Sequence, residues 1–136
     1  MSAITTFPLE GLRLLTLKKY PDARGFFTER YKDVYRQQLG ITTNFVQDNF
    51  SRSQRNVVRG LHMQHSPGQG KLITCLHGEI LDVVVDIRKN SPTFGQHVSV
   101  VLTGDEPALF WIPAGFARGF STLSESADVL YKVDCP

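Results

Sequence analysis

The segment KLITCLHGEILDVVVDIR, residues 71 to 88, decides the fold class. Its apolar residues are largely branched, and a single glycine, Gly78, divides it into two runs of strand length. Short apolar runs bounded by a turn residue are typical of buried strands rather than of helices. We therefore predict two strands that pair with each other across Gly78.

The rest of the chain follows the same pattern. Further strand-like segments are GLRLLTLKKY, NFVQDNFS, GQHVSVVLT, ALFWIP and ADVLYKVD, and the turn-like segments between them are PDARG, SPGQG, KNSPTFG, TGDEP and PAGFARG. One short helix is predicted over DVYRQQLG, residues 33 to 40, with Asp33 as its N-cap and Gly40 after its end. This pattern predicts an all-β fold in a single domain, residues 1–136, with a jelly-roll barrel as the leading case.

Composition narrows the classes of partner and compartment. Lys and Arg number 15 against 13 Asp and Glu, so a formal charge of +2 indicates no nucleic-acid binding. The two cysteines, Cys75 and Cys135, form no disulfide framework, which favours a reducing cytoplasm. We find no secretory leader and no apolar run long enough to cross a membrane, so we expect neither secretion nor a membrane partner.

One strand carries charges on a single face. In DVVVDIR the side chains of Asp82, Val84, Asp86 and Arg88 share one face, because side chains alternate along a strand. Two interpretations stay open. Either this face is a solvated outer surface, or its charges line the mouth of a pocket or pair with one another.

The histidines do not form a convincing metal site. His62 and His65 are separated by two residues, and Gln64 stands where a metal-binding barrel usually has its second histidine. Lys71 and Arg118 occupy the positions of further ligands, and both repel a dication. We therefore predict no bound metal.

The same residues suit chemistry without a metal. Arg59, His62 and Lys71 provide a fixed cation, a base that titrates near neutrality and a cation for an oxyanion. Tyr131 can give or take a proton. Together they fit the abstraction of a proton next to a carbonyl. This reaction needs no redox cofactor, and the sequence has no glycine-rich dinucleotide motif, so we expect no cofactor.

Several segments together carry a family resemblance, namely DARGFFTE, FVQDNFSRSQRNVVRGLHMQ, GQGKL, HGEILDVVVDIRKNSPTFGQ, LFWIPAGFARGF and LYKV. In this order they resemble the dTDP-4-dehydrorhamnose 3,5-epimerase family of deoxysugar biosynthesis. The resemblance implies a cupin-type jelly roll that works as a homodimer, with an N-terminal segment exchanged between subunits. It also implies a cofactor-free isomerase that inverts C3, C5 or both in a dTDP-4-keto-6-deoxyhexose, most commonly for a rhamnose-containing lipopolysaccharide.

The resemblance assigns roles to individual residues. His62 matches the general base, Tyr131 the acid on the other face of the sugar ring, and Lys71 the cation beside the keto oxygen. The matched substrate-binding positions are Arg59 at the diphosphate, Arg24 and Glu29 at the nucleotide across the dimer, and Gln47 and Asn49 in the pocket lining. Phe26 either stacks on the thymine or packs within the protein.

The chain departs from the family at two points. The family usually reads GFAHGF, whereas this chain has Arg118, which holds an oxyanion or phosphate but cannot shuttle a proton at neutral pH. Family members also continue beyond the LYK strand, where an acidic residue normally orients the base, so we expect this chain to be a short member. Asp82, Asp86 or Asp134 are candidates to orient His62 instead.

Three hypotheses follow from these observations. The first is an active epimerase that acts at C3, C5 or both. The second is a weak or inactive homologue that still binds a nucleotide sugar. The third is a metal-dependent cupin, which the unsuitable ligand positions disfavour. Deuterium exchange into the substrate separates the first two, and a metal assay tests the third.

Overall fold

The structure is a computed structural model that describes residues 3–136. Within these residues the elements are β1 (Ala3–Thr6), β2 (Arg13–Thr16), β3 (Tyr20–Asp22), β4 (Gly25–Phe27), α1 (Val34–Gln38), β5 (Gln47–Gln54), β6 (Val58–His62), β7 (Lys71–His77), β8 (Glu79–Asp86), β9 (His97–Thr103), β10 (Ala108–Ile112), β11 (Phe116–Thr122) and β12 (Ser126–Val133). The all-β prediction with one short helix is therefore confirmed. No helix among these residues is long and apolar enough to cross a membrane.

Two antiparallel sheets enclose the main core. The first has six strands in the order β1-β2-β10-β7-β12-β5, and the second has four in the order β6-β11-β8-β9. Strands β3 and β4 form a separate hairpin. Ile73 and Val129 from the first sheet and Val84 and Phe120 from the second belong to one buried cluster. Burial of these apolar side chains between the sheets is the main force that holds the sheets together.

The prediction that the two strands on either side of Gly78 pair with each other is wrong. Strand β7 lies between β10 and β12 in the six-stranded sheet, whereas β8 lies between β11 and β9 in the other sheet. Gly78 has φ +81°, and a Cβ atom there would collide with the backbone oxygen of Ser126. Gly78 therefore does not close a hairpin. It lets the chain cross from one sheet to the other, as strands do at the corners of a sandwich.

The segment PAGFARG is also not a turn throughout its length. Only its first three residues form the turn, and β11 begins at Phe116. Glycine in a strand can permit close backbone approach, and a Cβ atom on Gly119 would lie 2.7 Å from the backbone oxygen of Arg59 in β6. Arg118 is thus a strand residue, held between β6 and β8. The strands β1, β3, β4 and β6 were not predicted as separate elements.

The helix packs on the outer face of the six-stranded sheet. It covers a shorter range than predicted, and Asp33 makes no capping hydrogen bond with its side chain. Gly40 follows the helix with φ +72°, in agreement with its predicted place after the end. Tyr35 and Leu39 pack with Trp111 in a second buried cluster. This cluster anchors the chain that connects β4 to β5.

The charged face of β8 points into the barrel. Asp82 and Asp86 are fully buried, on the same side of the strand as Ile80 and Val84. The interpretation of this face as a solvated outer surface is therefore wrong. Each carboxylate instead pairs with an arginine, Asp82 with Arg118 and Asp86 with Arg88.

Candidate functional site

A pocket of about 240 Å³ opens at one end of the space between the sheets. Its lining consists of His62, Met63, Gln64, Gln69, Lys71, Arg118 and Tyr131. Larger cavities of about 440 and 730 Å³ lie along the loop 88–93 and along the β5–β12 edge. We place the candidate site in the smaller pocket, because it holds the proposed base, acid and cation together.

The strand register explains why these side chains meet. In the four-stranded sheet, His62 at the end of β6 lies opposite Arg118 in β11. In the six-stranded sheet, Tyr131 in β12 lies opposite Ile73 in β7, and Lys71 begins β7. Each sheet thus contributes two of the four titratable groups that line the pocket.

Lys71 is a buried cation without a counterion of its own. The residue is 8% exposed, and its ammonium group makes no hydrogen bond or ion pair with the residues that the structure describes. Burial lowers the pKa of Lys71, the nearby charge of Arg118 lowers it further, and Asp82 opposes the shift. An ammonium group placed in this way gains from the arrival of a negative charge.

Arg118 and Asp82 form a buried ion pair beneath the pocket. The Nε atom of Arg118 donates to both carboxylate oxygens of Asp82, each at 3.1 Å, and Nη2 donates to Oδ2. Burial raises the pKa of Asp82, and Arg118 opposes the shift. Both oxygens accept from the guanidinium group, and this arrangement suits the ionised carboxylate.

His62 lies at the rim of the pocket and is exposed to solvent. No acidic side chain in residues 3–136 forms a hydrogen bond with it. Asp82 bonds to Arg118, Asp86 bonds to Arg88, and Asp134 accepts hydrogen bonds from Gly70 and Thr43. The suggestion that one of these three aspartates orients His62 is therefore not met within this part of the chain.

Three predicted binding residues lie on β5 and β6 and do not belong to the lining of the pocket. Asn49 in β5 lies directly opposite Tyr131 and accepts a hydrogen bond of 2.9 Å from Gln47 Nε2. Arg59 in β6 donates through Nε to Ser53 Oγ at 2.8 Å. This bond links β5 to β6, and each of these strands is an edge strand of its sheet.

The other predicted binding residues lie away from the pocket in this chain. Arg24 is 91% exposed and pairs with Asp22, and Glu29 pairs with Lys32. Phe26 is 44% exposed and belongs to neither buried cluster, so core packing does not explain it. Their role at the site of a partner subunit stays a prediction.

Sequence reasoning missed part of the pocket. From the sequence, Asp82 is predicted as part of a charged face and as a candidate to orient His62, but not as the buried partner of Arg118. The alternation of DVVVDIR within a buried strand was the available signal for its burial. Gln64 and Gln69 line the pocket and donate to the backbone oxygens of Pro67 and Cys135, respectively. Among residues 3–136, no three His, Cys, Asp or Glu side chains cluster as metal ligands.

Comparison with known proteins identifies the same family that the sequence motifs resemble. The family described as dTDP-4-dehydrorhamnose 3,5-epimerase matches residues 6–136. A relative of that name from Salmonella typhimurium is 52% identical over 97% of this chain and 73% of its own length.

Two solved structures share the fold. The Legionella pneumophila dTDP-6-deoxy-D-glucose-3,5-epimerase, in complex with dTDP-4-keto-L-rhamnose, has a TM-score of 0.94 at 51% identity, covering 98% of this chain and 72% of its own. A double mutant of a 3'-monoepimerase from Streptomyces bikiniensis, in complex with dTDP, has a TM-score of 0.86 at 30% identity, covering 96% and 67%. The predicted cupin-type jelly roll is confirmed. The chain belongs to the dTDP-4-dehydrorhamnose 3,5-epimerase family, whose named members are isomerases.

Proposed function

We propose that this protein epimerises a dTDP-4-keto-6-deoxyhexose at C3, C5 or both, by proton abstraction next to the C4 ketone. The observation that carries the proposal is the convergence of His62, Lys71 and Tyr131 on one pocket between the sheets. A base, a cation and a phenolic acid are the groups that enolisation and reprotonation need. Family membership supplies the class of substrate.

The reaction proceeds in two proton transfers. The neutral imidazole of His62 takes the proton from the carbon next to the ketone, and the electron pair of the broken C–H bond forms a C=C bond as the ketone becomes an enolate. Tyr131 then gives its proton to the opposite face of that carbon, and the enolate returns to the ketone. One proton has moved from Tyr131 to His62, and exchange with water restores both groups.

Lys71 stabilises the negative charge that develops between these two transfers. Its buried ammonium has no carboxylate bonded to it, so the enolate oxygen does not compete with an existing partner. No electrons leave the substrate in either step. The residues of the chain are therefore sufficient for the reaction in this scheme, without a redox cofactor.

The nucleotide lies along β5 and β6 in this proposal. In this proposal Arg59, which donates to Ser53, contacts the diphosphate, and Gln47 and Asn49 contribute to binding from β5. A guanidinium group suits phosphate oxygens because it donates in a planar fork.

We also propose a homodimer in which Arg24, Phe26 and Glu29 reach the nucleotide of the partner subunit. Their exposure on and after the β3–β4 hairpin supports this arrangement, since an aromatic ring at the surface is free to stack on a base. The pathway we propose is cytoplasmic synthesis of dTDP-L-rhamnose for surface polysaccharide.

The test is incubation with dTDP-4-keto-6-deoxyglucose in deuterated water, with the label located by NMR. Deuterium at both C3 and C5 supports a 3,5-epimerase, and deuterium at one carbon supports a monoepimerase. No deuterium at either carbon, with nucleotide binding confirmed separately by calorimetry, would overturn the proposal. The protein would then be a homologue that binds a nucleotide sugar without turning it over.

A further inference from the structure

Arg118 has one guanidinium nitrogen that no protein group occupies. Nε and Nη2 both donate to Asp82, whereas Nη1 makes no hydrogen bond within residues 3–136. The side chain is only 7% exposed, and the residue lines the pocket. A donor that belongs to a pocket-lining side chain and lacks a protein partner is available to an acceptor atom of a ligand.

The orientation of this guanidinium group is fixed from several directions. Asp82 holds the guanidinium group from one edge. The carboxylate of Asp82 is itself fully buried and has no other hydrogen-bond partner among the described residues. The Cζ atom of Arg118 lies 5.0 Å from the ring centre of Phe120 and 5.8 Å from that of Tyr131. Aromatic faces attract a cation, so both rings and the carboxylate stabilise the same placement.

The charges around Arg118 leave the pocket positive. The titratable groups that face it are Asp82 from β8, Lys71 from β7, Tyr131 from β12 and His62 from β6. With Arg118 itself these are five groups. When His62 and Tyr131 are neutral, Arg118 and Lys71 are cations and Asp82 is the one carboxylate. The excess positive charge favours an oxyanion in the pocket.

Building on the proposed function, we propose that Asp82 is a positioning residue that holds Arg118 as a permanent second cation of the site. Nη1 of Arg118 and Nζ of Lys71 then share the oxyanion of the enolate. An imidazole at this position, as the family usually has, loses its charge near neutral pH, whereas a guanidinium stays charged. Stabilisation of the oxyanion by residue 118 is therefore independent of pH in this chain.

The kinetic test compares Arg118→His and Arg118→Lys with the wild type between about pH 6 and 9. The ratio of each variant's exchange rate to the wild-type rate cancels the ionisation of His62, which all three proteins share. For Arg118→His we expect this ratio to fall about tenfold per pH unit above the pKa of the new imidazole, which Asp82 would raise above about 6.5. For Arg118→Lys we expect a constant ratio over this range. A ratio for Arg118→His that is constant or rises with pH would overturn the proposal.

A second measurement tests the positioning without any turnover. In 1H–15N spectra of arginine side chains, the Nε–H of Arg118 should give a signal protected from solvent exchange, assigned by its loss in Arg118→Lys. Asp82→Asn should remove the signal or speed its exchange with solvent at least about tenfold, because an NH2 group, which is a donor, replaces one of the two acceptor oxygens. Asp128→Asn, which removes the partner of the exposed Arg52, is the matched control and should leave the signal unchanged.

The two measurements separate failure of the inference from failure of the proposed function. If Asp82→Asn does not fold, the wild-type spectrum alone tests the positioning role of Asp82. Rapid solvent exchange of the Arg118 Nε–H in the wild type would overturn that role. If the wild-type protein shows no deuterium exchange, the proposed function is wrong. The proposal that Arg118 and Lys71 share the oxyanion is then wrong as well. The protection of the guanidinium signal then still decides whether Asp82 positions Arg118.

Discussion

Arg118 lies directly opposite His62 in the antiparallel pairing of β11 with β6. The two residues differ in exposure because β6 is an edge strand, whereas β11 is enclosed by β6 and β8. His62 is therefore in contact with water, and Arg118 is buried over Asp82. One strand pairing thus gives the pocket both a base that can exchange its proton with solvent and a cation that is shielded from it.

Tyr131→Phe should separate proton removal from epimerisation. The variant keeps the ring in its place in β12 but loses the phenolic hydroxyl, so an enolate can still form while the acid on the other face is missing. We expect deuterium exchange to persist and net inversion to fall by about 10²-fold or more. Measuring both on the same sample by NMR checks this. Equal loss of exchange and inversion would contradict the division of roles.

Lys71→Met should slow the exchange of deuterium while leaving the protein folded. Methionine keeps much of the length of the side chain but removes the cation beside the oxyanion, and we expect a decrease in kcat of about 10²- to 10³-fold. The free energy of unfolding should not fall, because the variant no longer buries a charge whose pKa burial lowers. Lys89→Met, on an exposed loop, is the control. Unchanged kcat in Lys71→Met would rule out this role.

Asp86→Asn should destabilise the fold without acting through the pocket. Its buried carboxylate accepts hydrogen bonds from Arg88, Ser91 and Thr93, which fix the loop after β8. We expect the free energy of unfolding, measured in urea, to fall by about 3 kcal/mol. The neutral amide no longer pairs with the charge of Arg88 and offers one acceptor oxygen fewer to the two hydroxyl groups. Asp105→Asn, at an exposed position, should change stability by less than about 0.5 kcal/mol.

The same carboxylate should make stability depend on acid pH. Its hydrogen bonds with Arg88 hold the pKa of Asp86 well below its usual range. A group with a lowered pKa in the folded state contributes its full stabilisation above its unfolded pKa of about 3.9, and this contribution is lost as pH falls further. Unfolding curves between about pH 5 and 2 should show a smaller decline for Asp86→Asn than for the wild type.

Gly119→Ala should disturb the site through the backbone. A Cβ atom at this position would lie 2.7 Å from the Arg59 oxygen and 3.2 Å from the Gly60 Cα atom, and neither backbone atom can move without shifting β6. We expect a loss of stability of about 1–3 kcal/mol and exchange slowed by about tenfold, because His62 moves with its strand. Gly95→Ala, which meets nothing within 4 Å but has φ +84°, controls for backbone strain. Equal exchange rates in both variants would argue against this coupling.

The sequence was sufficient for the fold class, because alternation and turn residues are local signals. Residue chemistry and the family resemblance singled out His62, Lys71, Arg118 and Tyr131, which line the pocket. It was not sufficient for the pairing of β7 and β8, since Gly78 looks the same in a hairpin turn as in a crossing between sheets. Strand β11 was hidden because GFARG contains two glycines. Gly115 belongs to the turn before β11, whereas Gly119 lies within the strand and permits close packing against β6. The partnership of Asp82 with Arg118 joins residues far apart in the chain, so only the sheet register reveals it.

The central claim is that His62 removes the proton, and His62→Ala tests it most directly. The measurement is the rate of deuterium incorporation into dTDP-4-keto-6-deoxyglucose, with circular dichroism to confirm that the fold is kept. We predict that His62→Ala loses at least about 10²-fold in rate at every exchanging carbon. His97→Ala, at an exposed position of β9, should keep the wild-type rate. Exchange by His62→Ala at the wild-type rate would contradict the account, because the base would then lie elsewhere.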